Sequence, residues 1–138
     1  MNEDRLNTIH KVNEFLNVCN NDIWSESIGK MNEYEKEMLA LILDNVTFTR
    51  SGIQPYSFQL YSFCKIFKID TVMATDTEIM KSVNELMLKF SRYEVCEDSE
   101  YGKTMFCGYK INWVTGVIIV SPNPALEKMQ KKWRQFNN

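Results

Sequence analysis

The apolar positions of the chain recur every three or four residues up to about residue 92 and every second residue after it, so helices should come first and a β-ribbon later. Leu6, Ile9, Val12, Phe15 and Leu16 share one side of a helix over residues 3–18, with acids in its first turn. This first helix is either an arm or part of the core, and Asn20, Asn21 and Asp22 end it, because short polar side chains compete for backbone hydrogen bonds. Asn32 with Glu35 three residues on has the form of a capping box. It opens a second helix running to about Asn45, whose apolar set is Tyr34, Met38, Leu39, Leu41, Ile42 and Val46.

Residues 47–55, with Ser51, Gly52 and Pro55, read as loop or edge strand, and Tyr56, Phe58 and Leu60 alternate as a short strand. Ser62 is placed to cap a short helix burying Phe63, Ile66 and Phe67. Thr75 and Glu78 form another capping box before Ile79, Met80, Val83, Leu86, Met87 and Phe90, which define a helix over 76–90. Its other face carries Thr77, Lys81, Ser82, Asn84, Glu85 and Lys89, with Leu88 off the main stripe.

From Tyr93 the pattern alternates. Residues 98–102 are turn material, and Met105, Cys107, Tyr109, Ile111 and Trp113 predict a long half-buried strand. Thr115 and Gly116 turn the chain into a strand over 117–120, stopped by Pro122 and Pro124, which cannot donate to a ladder. A last helix from near Pro124 puts Ala125, Leu126, Met129, Trp133 and Phe136 on one side and Lys128, Lys131, Lys132 and Arg134 around the rest.

A short strand, two helices and an antiparallel hairpin make an α+β winged helix, here with an extra N-terminal helix and a C-terminal helix. Residues 1–22 form the N-terminal helix or arm, and 23–138 the winged-helix domain. Several segments resemble plasmid replication initiators built from two tandem winged helices. The stretch from Met31 to Leu39 is similar to the family's glutamate-rich helix start, and Phe63 to Ile69 to its short helix ending in a loop. Asp76 to Phe90 resembles its second motif helix, and Ile111 to Leu126 its strand, turn, strand and proline-opened last helix. The resemblance spans roughly residues 23–136 and implies the first winged helix of such an initiator. In that family this half mainly dimerises and contacts the DNA backbone, and the resemblance implies the same role here. The chain is then either the amino-terminal part of a longer initiator or a stand-alone relative.

Composition narrows the chemistry. The 138 residues are 44% hydrophobic and 25% charged, which suits one globular core in the cytoplasm, and no apolar run is long enough to cross a membrane. The net charge of −2 leaves any grip on DNA to a local patch. With one histidine, His10, and no phosphate-cradling glycine loop, the chain is expected to be no enzyme and to take no cofactor or metal. The four cysteines form no CxxC pair and are expected to be reduced and mostly buried; only Cys96 and Cys107 are placed to face each other.

The expected partners are double-stranded DNA, as origin repeats contacted mainly through phosphates, and a second copy in a homodimer. Thr77, Lys81, Ser82 and Lys89 are the DNA candidates on the motif helix, and Lys128, Lys131 and Lys132 those on the last helix. A wing tip at Glu97 to Glu100 would be acidic and repel phosphate. Trp24, Leu88 and Phe106 are the candidate dimer contacts, and Trp113 and Trp133 are assigned to the core. A winged-helix transcriptional regulator, or a dimerisation module with little DNA affinity of its own, fits the same pattern.

Overall fold

The computed structural model describes residues 3–49 and 52–138. Its first helix, α1 (Glu3–Val18), buries Ile9, Val12 and Phe15 against α3 and the last helix, so it forms part of the core. A short helix that the apolar period does not reveal, α2 (Ser25–Lys30), follows the Asn20 to Asp22 break. Fewer than two turns with only Ile28 buried give no repeat to read, and Ser25 Oγ donating to Asp22 O at 2.7 Å fixes its start. Helix α3 (Glu33–Asn45) begins with the expected capping box: Glu35 N donates to Asn32 Oδ1 at 2.8 Å, and Asn32 N donates to Glu35 Oε1 at 3.1 Å. Tyr34, expected in the core, stands at the surface with the Arg5 guanidinium 4.3 Å over its ring.

A small hairpin of β1 (Phe48–Thr49) and β2 (Gly52–Ile53) leads to β3 (Tyr56–Gln59), which passes directly into α4 (Leu60–Ile66). Leu60 is therefore the first helical residue rather than a strand position, and Ser62 is not the cap. The free amide at Leu60 donates to Gly116 O at 2.8 Å, so tertiary structure satisfies what a capping side chain would have satisfied locally. Helix α4 ends in a left-handed turn in which Lys68 (φ 57°) takes the place usually held by glycine, and Ile69 N donates back to Cys64 O at 2.9 Å. Helix α5 (Asp76–Ser91) follows, with Thr75 Oγ1 accepting from Glu78 N at 3.2 Å.

After α5 an isolated bridge pairs Glu94 with Thr104, a register that sets Cys96 opposite Gly102 and not opposite Cys107. All four cysteines are free thiols; Cys19 and Cys64 are buried, while Cys96 is half-exposed and Cys107 exposed. Strand β4 (Phe106–Asn112) pairs with β5 (Val117–Pro122), which also pairs with β3, so β5 is the central strand of a three-stranded antiparallel sheet. Its inner rows are Phe58, Ile118 and Ile111, and next to them Tyr56, Val120 and Tyr109. A bulge at Cys107 shifts the register from Phe106 opposite Pro122 to Gly108 opposite Ser121. The extra residue turns Cys107 out and lets the adjacent Met105 and Phe106 both point inward, which a strict period of two forbids.

Helix α6 (Leu126–Phe136) closes the core with Leu126, Met129 and Trp133, the last meeting Phe15 edge to face at 5.2 Å. Its Gln130 is buried, and its amide donates to Leu43 O and Val46 O at the end of α3. Trp133 is core, as expected; Trp113 is only half-buried.

Candidate nucleic-acid interface

The turn that leads into helix α5 is held by short-range bonds. Asp70 Oδ1 accepts from Val72 N and Met73 N at 3.0 Å each, and these bonds hold its carboxyl below the usual carboxylate range. Burial of Val83, Met87 and Phe90 then fixes the rotation of the helix, and Thr77, Lys81, Asn84 and Leu88 fall on one exposed stripe. Ser82 is half-buried on the far side of that stripe, beyond Glu78 and Glu85.

The hairpin beside α4 and α5 is β4–β5, and its turn spans Trp113 to Gly116. Asn112 Oδ1 accepts from Val114 N and Thr115 N at 3.1 Å each, and Gly116 adopts φ 68°, a conformation that suits glycine. With Gly116 O bound to Leu60 N, the turn is anchored to the first motif helix. Val114 at the tip is 97% exposed. The wing tip therefore lies here, not at Glu97 to Glu100, which belong to the loop preceding β4. The alternation from Met105 onward predicts the strand, which has a turn on each side, and the wing is closed by the turn that follows it and not by the acidic one before it. Thr115 and Gly116 were the available signal. With an uncharged tip, the wing does not repel phosphate as an acidic one would.

The other expected DNA contacts are scattered. Lys89 turns toward α3, its Nζ 3.4 Å from the buried Glu35 Oε1, an atom that also accepts from the Tyr93 hydroxyl at 2.9 Å. Burial first, then the Glu35 hydrogen bond and charge, push the Tyr93 phenol well above its ordinary range. Lys132 donates to both carboxylate oxygens of Asp22 at 2.8 and 2.9 Å and lies 5.4 Å over the Trp24 ring; the Asp22 bond raises its pKa. Lys131 is 3.6 Å from Glu127, and both Lys131 and Lys128 border a cavity with Trp24, Val95 and Cys96. A separate cavity lies between the start of α5 and the wing. Thr77 and Lys81 thus share one surface, while Lys128 and Lys131 occupy another.

Two of the three expected dimer contacts are not at the surface. Trp24 is 4% exposed beneath Lys132, and Phe106 is 5% exposed because the bulge rotates it inward, packing it against Phe90 at 5.9 Å. Leu88 is 40% exposed. Among the described residues no three His, Cys, Asp or Glu side chains gather as a metal site, and no helix is long and apolar enough to cross a membrane.

The element order from α3 to β5, with β5 between β3 and β4, is that of a winged helix. The family model for the WH1 domain of initiator replication proteins matches residues 17–137. The chain belongs to that family. No curated protein and no solved structure matches it significantly. In this plasmid replication initiator WH1 domain, α4 and α5 are the helix-turn-helix and β4–β5 is the wing.

Proposed function

We propose that this WH1 domain contacts the duplex of origin repeats mainly through phosphates, with the Thr77 and Lys81 stripe of α5 against the DNA and the β4–β5 wing beside it. The observation that carries this reading is the wing turn fixed to α4 through Leu60 and Gly116, which holds an uncharged tip next to the motif helices. Lys81 is exposed and makes no ion pair among the described residues, whereas Lys89 and Lys132 are engaged within the protein. Pairing of two copies, implied by the family likeness, belongs to the same proposal; of the expected contacts only Leu88 is exposed, at the C-terminal end of the stripe whose Thr77 and Lys81 end faces the DNA. Light scattering at micromolar concentration should give the mass of a dimer.

The DNA contact is tested by fluorescence anisotropy on a labelled origin repeat at several salt concentrations. A phosphate contact releases counterions, so Lys81→Ala should weaken binding on all sequences alike and lower the slope of log affinity against log salt by about one. Lys132→Ala should leave that slope unchanged, because its ammonium is held by Asp22. If Lys81→Ala has no effect and removing Lys128 and Lys131 abolishes binding, α6 is the DNA surface instead.

A further inference from the structure

Between α4, the start of α5 and the wing lies an open cavity of about 700 Å3, a size that accommodates ligand groups. Leu60, Ile79, Met80, Trp113 and Val117 form its apolar wall, Gln59, Thr71 and Thr115 its polar rim, and among the described residues Asp76 is the one charged side chain lining it. Apolar surface continues around the mouth. Val72 and Met73, beside the lining residue Thr71, are 87% and 84% exposed; Tyr61 and Met80 are exposed on the walls; and Val114 projects from the wing next to Trp113. Bulky hydrophobics exposed singly need no explanation, but this many around one opening mark an interaction surface.

We propose that this groove docks a short segment of a partner protein in which a bulky apolar side chain is followed closely by Lys or Arg. The apolar side chain fills the space between Met80 and Trp113, and the cation meets the Asp76 carboxylate. Charge selects this occupant. Among the described residues Asp76 makes no ion pair, and no lysine or arginine among them lines the groove beside it. That favours a cationic segment over an acidic one, and an apolar wall gains nothing from phosphate. The groove borders the surface proposed for DNA, Met80 being next to Lys81 and Trp113 lying in the wing turn, so the docking is tested on the protein without DNA.

The test is an NMR titration of the 15N-labelled protein with the blocked tripeptide Phe-Leu-Lys and its counterparts ending in Gln and Glu. Shifts should centre on Thr71, Asp76, Met80, Gly116 and the Trp113 indole. The lysine peptide should bind about threefold more tightly than the glutamine one, as expected for an exposed ion pair, and the glutamate peptide most weakly. Asp76→Asn should erase that ranking while the spectrum stays dispersed. Met80→Lys, a change at an exposed position, should abolish binding, and Lys81→Ala should leave the titration unchanged while it weakens DNA binding. Equal affinity for all three peptides, shifts centred elsewhere, or concentration-dependent shifts of the same residues without peptide would overturn the proposal, the last in favour of a second copy of the chain.

Discussion

Glu35 joins the start of α3 to the end of α5 through a single oxygen, which accepts from Asn32 N and the Tyr93 hydroxyl and lies beside Lys89 Nζ. At 1% exposure its charge is tolerated only because it is paired and hydrogen-bonded. Glu35→Ala removes half of the capping box and leaves the Tyr93 hydroxyl without its acceptor, so urea unfolding should show a loss of about 2–3 kcal/mol. Tyr93 adds a pH dependence of definite sign. Its folded pKa lies above the ordinary value of 10.0, so the protonated phenol is favoured by the fold. That stability is fully present below about pH 10 and is lost as pH rises through the folded value. Tyr93→Phe should flatten the alkaline limb of a plot of stability against pH; an unchanged limb would assign it to other groups. The capping half of this arrangement was legible in the spacing of Asn32 and Glu35. The Tyr93 half was not, because 58 residues separate the partners.

At the scale of elements, the periodic helices were readable and the short or interrupted elements were not. Helices α1, α3 and α5 each repeat their apolar positions over three turns or more, enough to identify the face that packs. Helix α2 lacks the length, the start of α4 depends on a carbonyl from the wing, and the bulge at Cys107 breaks the alternation of β4. Helix α6 shows how one polar residue binds two elements: the Gln130 amide serves two carbonyls at the C-terminal end of α3, which has no further helical turn to use them. Gln130→Ala should therefore cost roughly 2 kcal/mol by leaving buried acceptors unpaired, measured by thermal or chemical unfolding. A change below a few tenths of a kcal/mol would mean that water replaces the amide.

Over the whole molecule, α1, α3 and α6 form a helical layer in which Phe15, Trp133 and Phe136 meet, and Trp24 lies at its edge under Lys132. Trp24 belongs to this packing rather than to a surface for a second copy. Trp24→Ala should lower stability by about 3–5 kcal/mol, the usual cost of truncating a buried aromatic. A change in oligomeric mass on light scattering without loss of stability would return Trp24 to an interface role.

By itself the sequence determined the winged-helix class, the principal helices and the hairpin, because amphipathic period and turn residues act locally and each is written in consecutive positions. It also singled out the exposed side of α5, since placing Val83, Met87 and Phe90 inward leaves Thr77 and Lys81 outward. Tertiary structure decided which hairpin is the wing, which lysines are already committed and which aromatics are buried. Those outcomes rest on contacts between residues far apart in the chain: Leu60 with Gly116, Lys89 with Glu35, Lys132 with Asp22 and Phe90 with Phe106. A charge or ring looks the same in sequence whether solvent or a distant partner satisfies it, and only the folded geometry distinguishes the two.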